Sequence, residues 1–172
     1  MKIAEPRIQK IETNSVKLVP LVINKDGKVI PNGQAILSNW QYFTEGLEKV
    51  LSYSTGDSSY EKVLNEILSG QLTMFVAFLD GKYVGFCTTR LDNYLLSDSY
   101  ITIVHLYIKP GTDENVFYSG LKYIYEKLCL PTKSKLRFFS KRNGWTKRLL
   151  DKGWELGYSE FIYNGKSEKI KD

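Results

Sequence analysis

The sequence predicts a mixed α/β domain, a central sheet flanked by helices in the order β-α-α-β-β-β-α-β-α-β. Two helical stripes before Gly70, a three-strand meander around an Asp80-Gly81 turn, and helices alternating with the last strands carry that prediction. A meander pairs antiparallel, whereas a strand, helix, strand crossover favours a parallel pair, so the sheet should be mixed.

Residues 1–15 show no helical period and read as an N-terminal arm. VKLVPLVI at 16–23 reads as a strand at the sheet edge, because Pro20 cannot donate to a ladder. NKDGKVIPNG is a turn-rich excursion. Leu37, Trp40, Thr44, Leu47 and Leu51 recur at helical spacing and mark a first helix. Ser58 and Glu61 form a capping box for a second, faced by Tyr60, Val63, Leu64, Ile67 and Leu68 and ended by Gly70.

QLTMFVAFL and KYVGFCTTRL are two strands joined at Asp80-Gly81, a pair suited to the positive φ angles of a type I′ turn. YITIVHLYIKP is nearly continuously apolar, as a central strand covered on both faces should be. Thr112 or Asp113 caps a third helix, with Phe117, Leu121, Ile124 and Leu128 on one face, and Pro131 stops it. KLRFFS is a strand with Leu136 and Phe138 on one side. Asn143 caps a short helix carrying Trp145 and Leu149, Gly153 ends it, and WELGYSEFIY is a last strand. The domain thus spans 16–164, and 165–172 is a polar tail.

The 172 residues fit one domain, and 42% hydrophobic content is enough for a sizeable core. The longest apolar runs fall far short of the ~20 residues that cross a bilayer. The first ten residues are not followed by the apolar stretch of a secretory signal, so a cytoplasmic protein is expected. Cys87 and Cys129 make no CxxC, and His105 is the single histidine, so neither a disulfide framework nor a metal cage is expected.

Charge is concentrated in one segment. Lys133, Lys135, Arg137, Lys141, Arg142, Lys147, Arg148 and Lys152, against Asp151 alone, give residues 133–152 a net +7, leaving −2 for the rest of a chain of net +5. This reads as a local basic face on a nearly neutral body.

Three stretches resemble the GNAT N-acyltransferase superfamily over roughly residues 34–163. TMFVAFLDGKYVGFCTTRL is similar to the family's hairpin, with YVG at Tyr83 to Gly85 in place of its "ivG". VHLYIKPG resembles the family's central strand, and RNGWTKRLLDKGWELGYSEFIY its closing segment, with Asn143 opening the short helix. The resemblance implies a GNAT-like mixed sheet and acyl transfer from acetyl-CoA to an amine, with the cofactor lodged where two adjacent strands splay. It points to Leu106, Tyr107, Ile108 and Asn143 as candidate cofactor contacts.

Two family features are missing. The family's phosphate loop places glycines where a pyrophosphate approaches backbone N–H groups at a helix start. Here Asp113, Glu114, Asn115, Val116, Phe117 and Tyr118 stand there, with no glycine and two carboxylates. The family's general-acid tyrosine, about seven residues after the Asn, is replaced by Leu149 and Leu150, which cannot protonate a thiolate. The base would be sought among Thr102, Val104 and His105. Only His105 titrates near neutrality, and a lone histidine inside an apolar strand reads first as a packed residue and second as a catalytic one.

The leading expectation is therefore a non-catalytic GNAT-fold protein, an interaction or structural component without a cofactor. It is similar to the degenerate GNAT-like proteins of tailed bacteriophages, which makes the virion one setting. Its partner would present an acidic surface, another virion protein or a second copy of the chain, to the basic face. The alternative is a divergent N-acetyltransferase that uses acetyl-CoA. A second alternative is nucleic-acid binding through residues 133–152, where aromatics interleave with the cations.

Overall fold

The computed structural model describes residues 16–53, 58–93, 98–139 and 143–155. It divides into two compact units, Met1–Phe139 and Ser140–Asp172. The expected arm at 1–15, most of the last strand and the tail lie outside the described residues.

The first unit is built on a five-stranded sheet in the order β1-β4-β5-β6-β7. β1 (Val16–Pro20), at its edge, runs antiparallel to β4 (Thr73–Leu79), so Pro20 sits where a missing donor is tolerated. β4, β5 (Lys82–Asp92) and β6 (Tyr100–Ile108) form the antiparallel meander. β7 (Lys135–Phe138) joins β6 in parallel, so the sheet is mixed, as expected.

The chain departs from its sequence-based expectations at four points. VKLVPLVI breaks at Leu21, and the turn-rich excursion is a second hairpin, β2 (Val22–Lys25) with β3 (Lys28–Pro31). Its turn residues Asp26 (φ 53) and Gly27 (φ 76) repeat the geometry of Asp80 (φ 50) and Gly81 (φ 78). The first helix is two, α1 (Gly33–Ser38) and α2 (Trp40–Leu51). Asn39 divides them, because its side chain donates to the carbonyl of Ala35 at 2.8 Å and closes α1. The phase shift exposes Leu37 and buries Phe43.

α3 (Tyr60–Leu68) is capped by Ser59, not Ser58: its Oγ accepts the Lys62 N–H at 3.2 Å. Pro131 does not stop the third helix. α4 (Glu114–Ile124) runs through a π-helical turn at Tyr125–Cys129 into α5 (Leu130–Thr132), where Pro131 is tolerated in a first turn, and Lys133 ends it in the left-handed region (φ 53).

The sheet is covered on both faces. On one, α2 and α3 bury Phe43, Leu47, Val63 and Ile67 against Met74, Val76, Phe86 and Tyr107. On the other, α4 packs Val116, Phe117, Leu121 and Ile124 over Leu18, Cys87, Ile103 and Leu106 around a cavity of about 30 Å³. In the second unit α6 (Asn143–Leu150) ends at Gly153 (φ 83), whose N–H bonds the Leu150 carbonyl.

Candidate active site

β6 and β7 form a fork. Their pairing runs from Tyr100↔Lys135 to Ile103↔Phe138 and stops there. At that point β6 carries a bulge: Thr88 faces His105 while Thr89 faces Ile103, so Val104 is the extra residue. A bulge bends its strand and steepens the local twist, which opens the angle between β6 and β7.

Alternation then fixes which peptide groups face the opening. The His105 N–H donates to Thr88 Oγ1 at 3.2 Å and the Lys109 N–H to the Val84 carbonyl at 2.8 Å, both toward β5. Leu106 and Ile108 therefore turn their N–H and C=O groups to the other edge, where no described strand pairs with them. An unpaired strand edge of this kind suits an extended, amide-bearing ligand.

Of the three candidate strand contacts, Leu106 and Ile108 thus line the fork by their main chain. Tyr107 does not. Its carbonyl lies where a Cβ on Gly85 would stand, and its ring packs on Phe86, centroids 5.8 Å apart, under Gly46 of α2. This explains the glycine of YVG: a side chain at 85 would strike the Tyr107 carbonyl and come within 3.0 Å of Ile108 Cα. Asn143, the fourth candidate, opens α6 in the second unit, and its side chain lies outside the described residues.

His105 is 7% exposed. Thr88 Oγ1 lies 2.8 Å from its Nδ1 and accepts the His105 backbone N–H at 3.2 Å, so one hydroxyl ties both the ring and the main chain of His105 to β5. Burial pushes the pKa of the imidazole down to about 4. Near neutral pH the imidazole is therefore uncharged and hydrogen-bonded through Nδ1 to Thr88.

On the face away from α4, next to the fork, lies a network that the sequence did not announce. Asp92 Oδ2 accepts from Thr102 Oγ1 and from Arg137 Nη2, each at 2.6 Å, and Oδ1 accepts from Arg90 Nε at 2.7 Å. Arg137 also donates to Thr102 at 3.1 Å and stacks over the rings of Tyr100 and Phe139. Burial raises the Asp92 carboxyl, but hydrogen bonds from Arg90 and Thr102 and the arginine charge outweigh it and hold the pKa below the ordinary carboxylate value. The register of β5 on β6 and β6 on β7 creates this contact, and no local motif marks it.

The network also revises the basic face. Arg137 is committed to Asp92, and Lys135 pairs with Asp98 at 2.5 Å. Lys133 is exposed in the first unit. Lys147, Arg148 and Lys152 belong to the second unit, and Lys141 and Arg142 lie outside the described residues.

The start of α4, where a nucleotide phosphate would be sought, does not fit one. Asp113 Oδ1 accepts the Asn115 N–H at 2.8 Å, and the Asp113 carbonyl takes the Val116 N–H at 3.0 Å. Phe117 is 5% exposed and packs its ring 6.4 Å from Phe138. The fork thus presents a strand edge that no described strand pairs with, whereas the Asn115 and Val116 N–H groups at the start of α4 are already engaged. Cys87 and Cys129 are both buried, which pushes their thiols up to about 12 and about 11 and removes them as nucleophiles.

No family model matches the chain, and no curated protein does. Solved structures do. The ribosomal-protein-alanine N-acetyltransferase from Brucella melitensis biovar Abortus 2308 covers 88% of this chain and 100% of its own, at 13% identity and a TM-score of 0.57. The aminoglycoside N-acetyltransferase AAC(6')-Iy, bound to a bisubstrate analogue of coenzyme A, covers 89% and 99% at 15% identity and a TM-score of 0.58. A possible acetyltransferase from Clostridium difficile 630 covers 88% and 99% at 12% identity and a TM-score of 0.52.

The chain has the GNAT fold. That finding corrects the expectation of a non-catalytic interaction or virion component, because the structures sharing this fold are acetyltransferases, two of them acting on amines by name. It favours the acyl-transfer alternative. Among the described residues, no helix is long and apolar enough to cross a membrane.

Proposed function

We propose that the protein is an N-acyltransferase that moves an acyl group, acetyl in the simplest case, from a pantetheine thioester to an amine. The observation that carries this reading is the fork at Val104, where the peptide groups of Leu106 and Ile108 stand open beside β7. When bound, the thioester supplies an acyl carbon already activated toward an amine. The chain's part is to hold the amide-bearing arm along the strand edge. The apolar side chains of Leu106, Ile108 and Phe117 keep water from its α4 side.

The buried His105 imidazole, its pKa pushed down to about 4, is too weak a base to hold the amine proton near neutral pH. The acceptor therefore reacts as the free amine and loses its proton to water. The rate should rise with pH until the acceptor's own pKa, and that limit should move when the acceptor is changed.

The test incubates the protein with acetyl-CoA or S-acetylpantetheine and a panel of amines, among them a peptide with N-terminal alanine and an aminoglycoside. Release of free thiol and acetylated product, detected by mass spectrometry, is the expected result. Absence of transfer from both thioesters to every amine would refute the reading.

A further inference from the structure

Acyl transfer from a thioester leaves open how the donor is recognised, and the first turn of α4 bears on that. A helix N-terminus attracts anions through unpaired N–H groups and the positive end of its dipole. Here the protein's own groups take two of those N–H groups. The Asp113 side chain holds the Asn115 N–H, its carbonyl holds the Val116 N–H, and Glu114 adds an acidic residue in the first turn.

Space is closed as well. From Thr112 to Ser119 the chain has no glycine. Val116 is 3% and Phe117 5% exposed, with the Phe117 ring between Phe138 and Tyr118. The preceding loop is a tight turn in which the Thr112 N–H reaches the Lys109 carbonyl at 3.2 Å. Its cation, Lys109, lies 4.8 Å over the ring of Tyr83, which packs with Phe43 on the α2 side of the sheet. Among the described residues, no strand pairs with the edge at Leu106 and Ile108.

We infer that this site recognises its donor by the pantetheine arm alone, and that the nucleotide diphosphate of coenzyme A contributes nothing to recognition. The inference rests on the acyltransferase reading for its chemistry, although its binding claim stands separately. A pantetheine thioester has two sources, free coenzyme and the prosthetic arm of a carrier protein. Both present the same amides to the fork.

Titration calorimetry on the full chain tests it with three probes: pantetheine, coenzyme A, and 3′-phosphoadenosine 5′-diphosphate, the nucleotide half of the coenzyme. The expected result is that pantetheine and coenzyme A bind within about tenfold of each other and the nucleotide half does not bind. Coenzyme A binding more than about tenfold tighter than pantetheine overturns the inference, as does binding of the nucleotide half, or no binding of pantetheine. Equal binding without acyl transfer removes the acyltransferase reading and leaves the recognition claim intact. With transfer, an acetylated carrier assayed beside S-acetylpantetheine identifies the source, and use of either upholds the inference.

Discussion

Thr88 and His105 close a two-point contact across β5 and β6: the threonine Oγ1 is 2.8 Å from the imidazole Nδ1 and 3.2 Å from the backbone nitrogen of the same residue. Because burial pushes the pKa of His105 from 6.5 down to about 4, the unfolded chain binds a proton in that window that the folded chain refuses. The stabilisation is complete above pH 6.5 and is lost as pH falls toward 4, and it amounts to about 3 kcal/mol. Urea unfolding of the wild type and His105→Asn at pH 7.5 and pH 4.5 checks this. The wild type should lose more stability than the variant, and equal losses would count against the assignment.

Gly85→Ala should destabilise the protein by about 2 kcal/mol, because the added methyl meets main chain that cannot rotate away. It would face the Tyr107 carbonyl and, at 3.0 Å, Ile108 Cα. The same substitution at Gly120, where a Cβ meets nothing within 4 Å, should be neutral or stabilising within a helix. Paired denaturant titrations distinguish the two. Equal effects would mean that β5 and β6 are not so close.

Asp92→Ala strips Arg137 and Thr102 of their shared acceptor, in a site where the Asp92 and Arg137 side chains are 14% and 25% exposed. A cost of about 2 kcal/mol is expected for leaving the guanidinium poorly paired. Since the folded carboxyl has a lowered pKa, its contribution is present above the ordinary value of 3.8 and is lost as pH falls below it. A melting temperature of the variant equal to that of the wild type at pH 7 would contradict the network.

Thiol labelling gives a further test. Burial raises both Cys87 and Cys129, so an aromatic disulfide reagent at pH 8 should label the folded protein at least ~100-fold more slowly than free cysteine. Both should react once urea unfolds the chain. Rapid labelling of the folded state would reopen an acyl-cysteine route.

The features legible in the sequence are those set by neighbouring residues. Asp80-Gly81 fixed a hairpin, Pro20 marked an edge strand, and the meander and crossover followed from element order. Errors came where two local signals compete. Ser58 and Ser59 are adjacent cap candidates, and only Ser59 reaches the Lys62 N–H. Pro131 stops an ordinary helix, yet after a π-helical turn it stands in a first turn where no N–H is missed. The fork and the Asp92 network were not legible because both depend on strand register. Val104 is an unremarkable residue in ITIVHLY until Thr88 and Thr89 show which partners it skips.

The strand edge at Leu106 and Ile108 is made of peptide bonds, and every amino acid except proline supplies the same two groups there. A cleft written in main chain asks little of side-chain identity. The fold itself is shared with solved structures at only 12% or 13% identity. Side chains around the fork can therefore be exchanged without rewriting the main-chain edge itself.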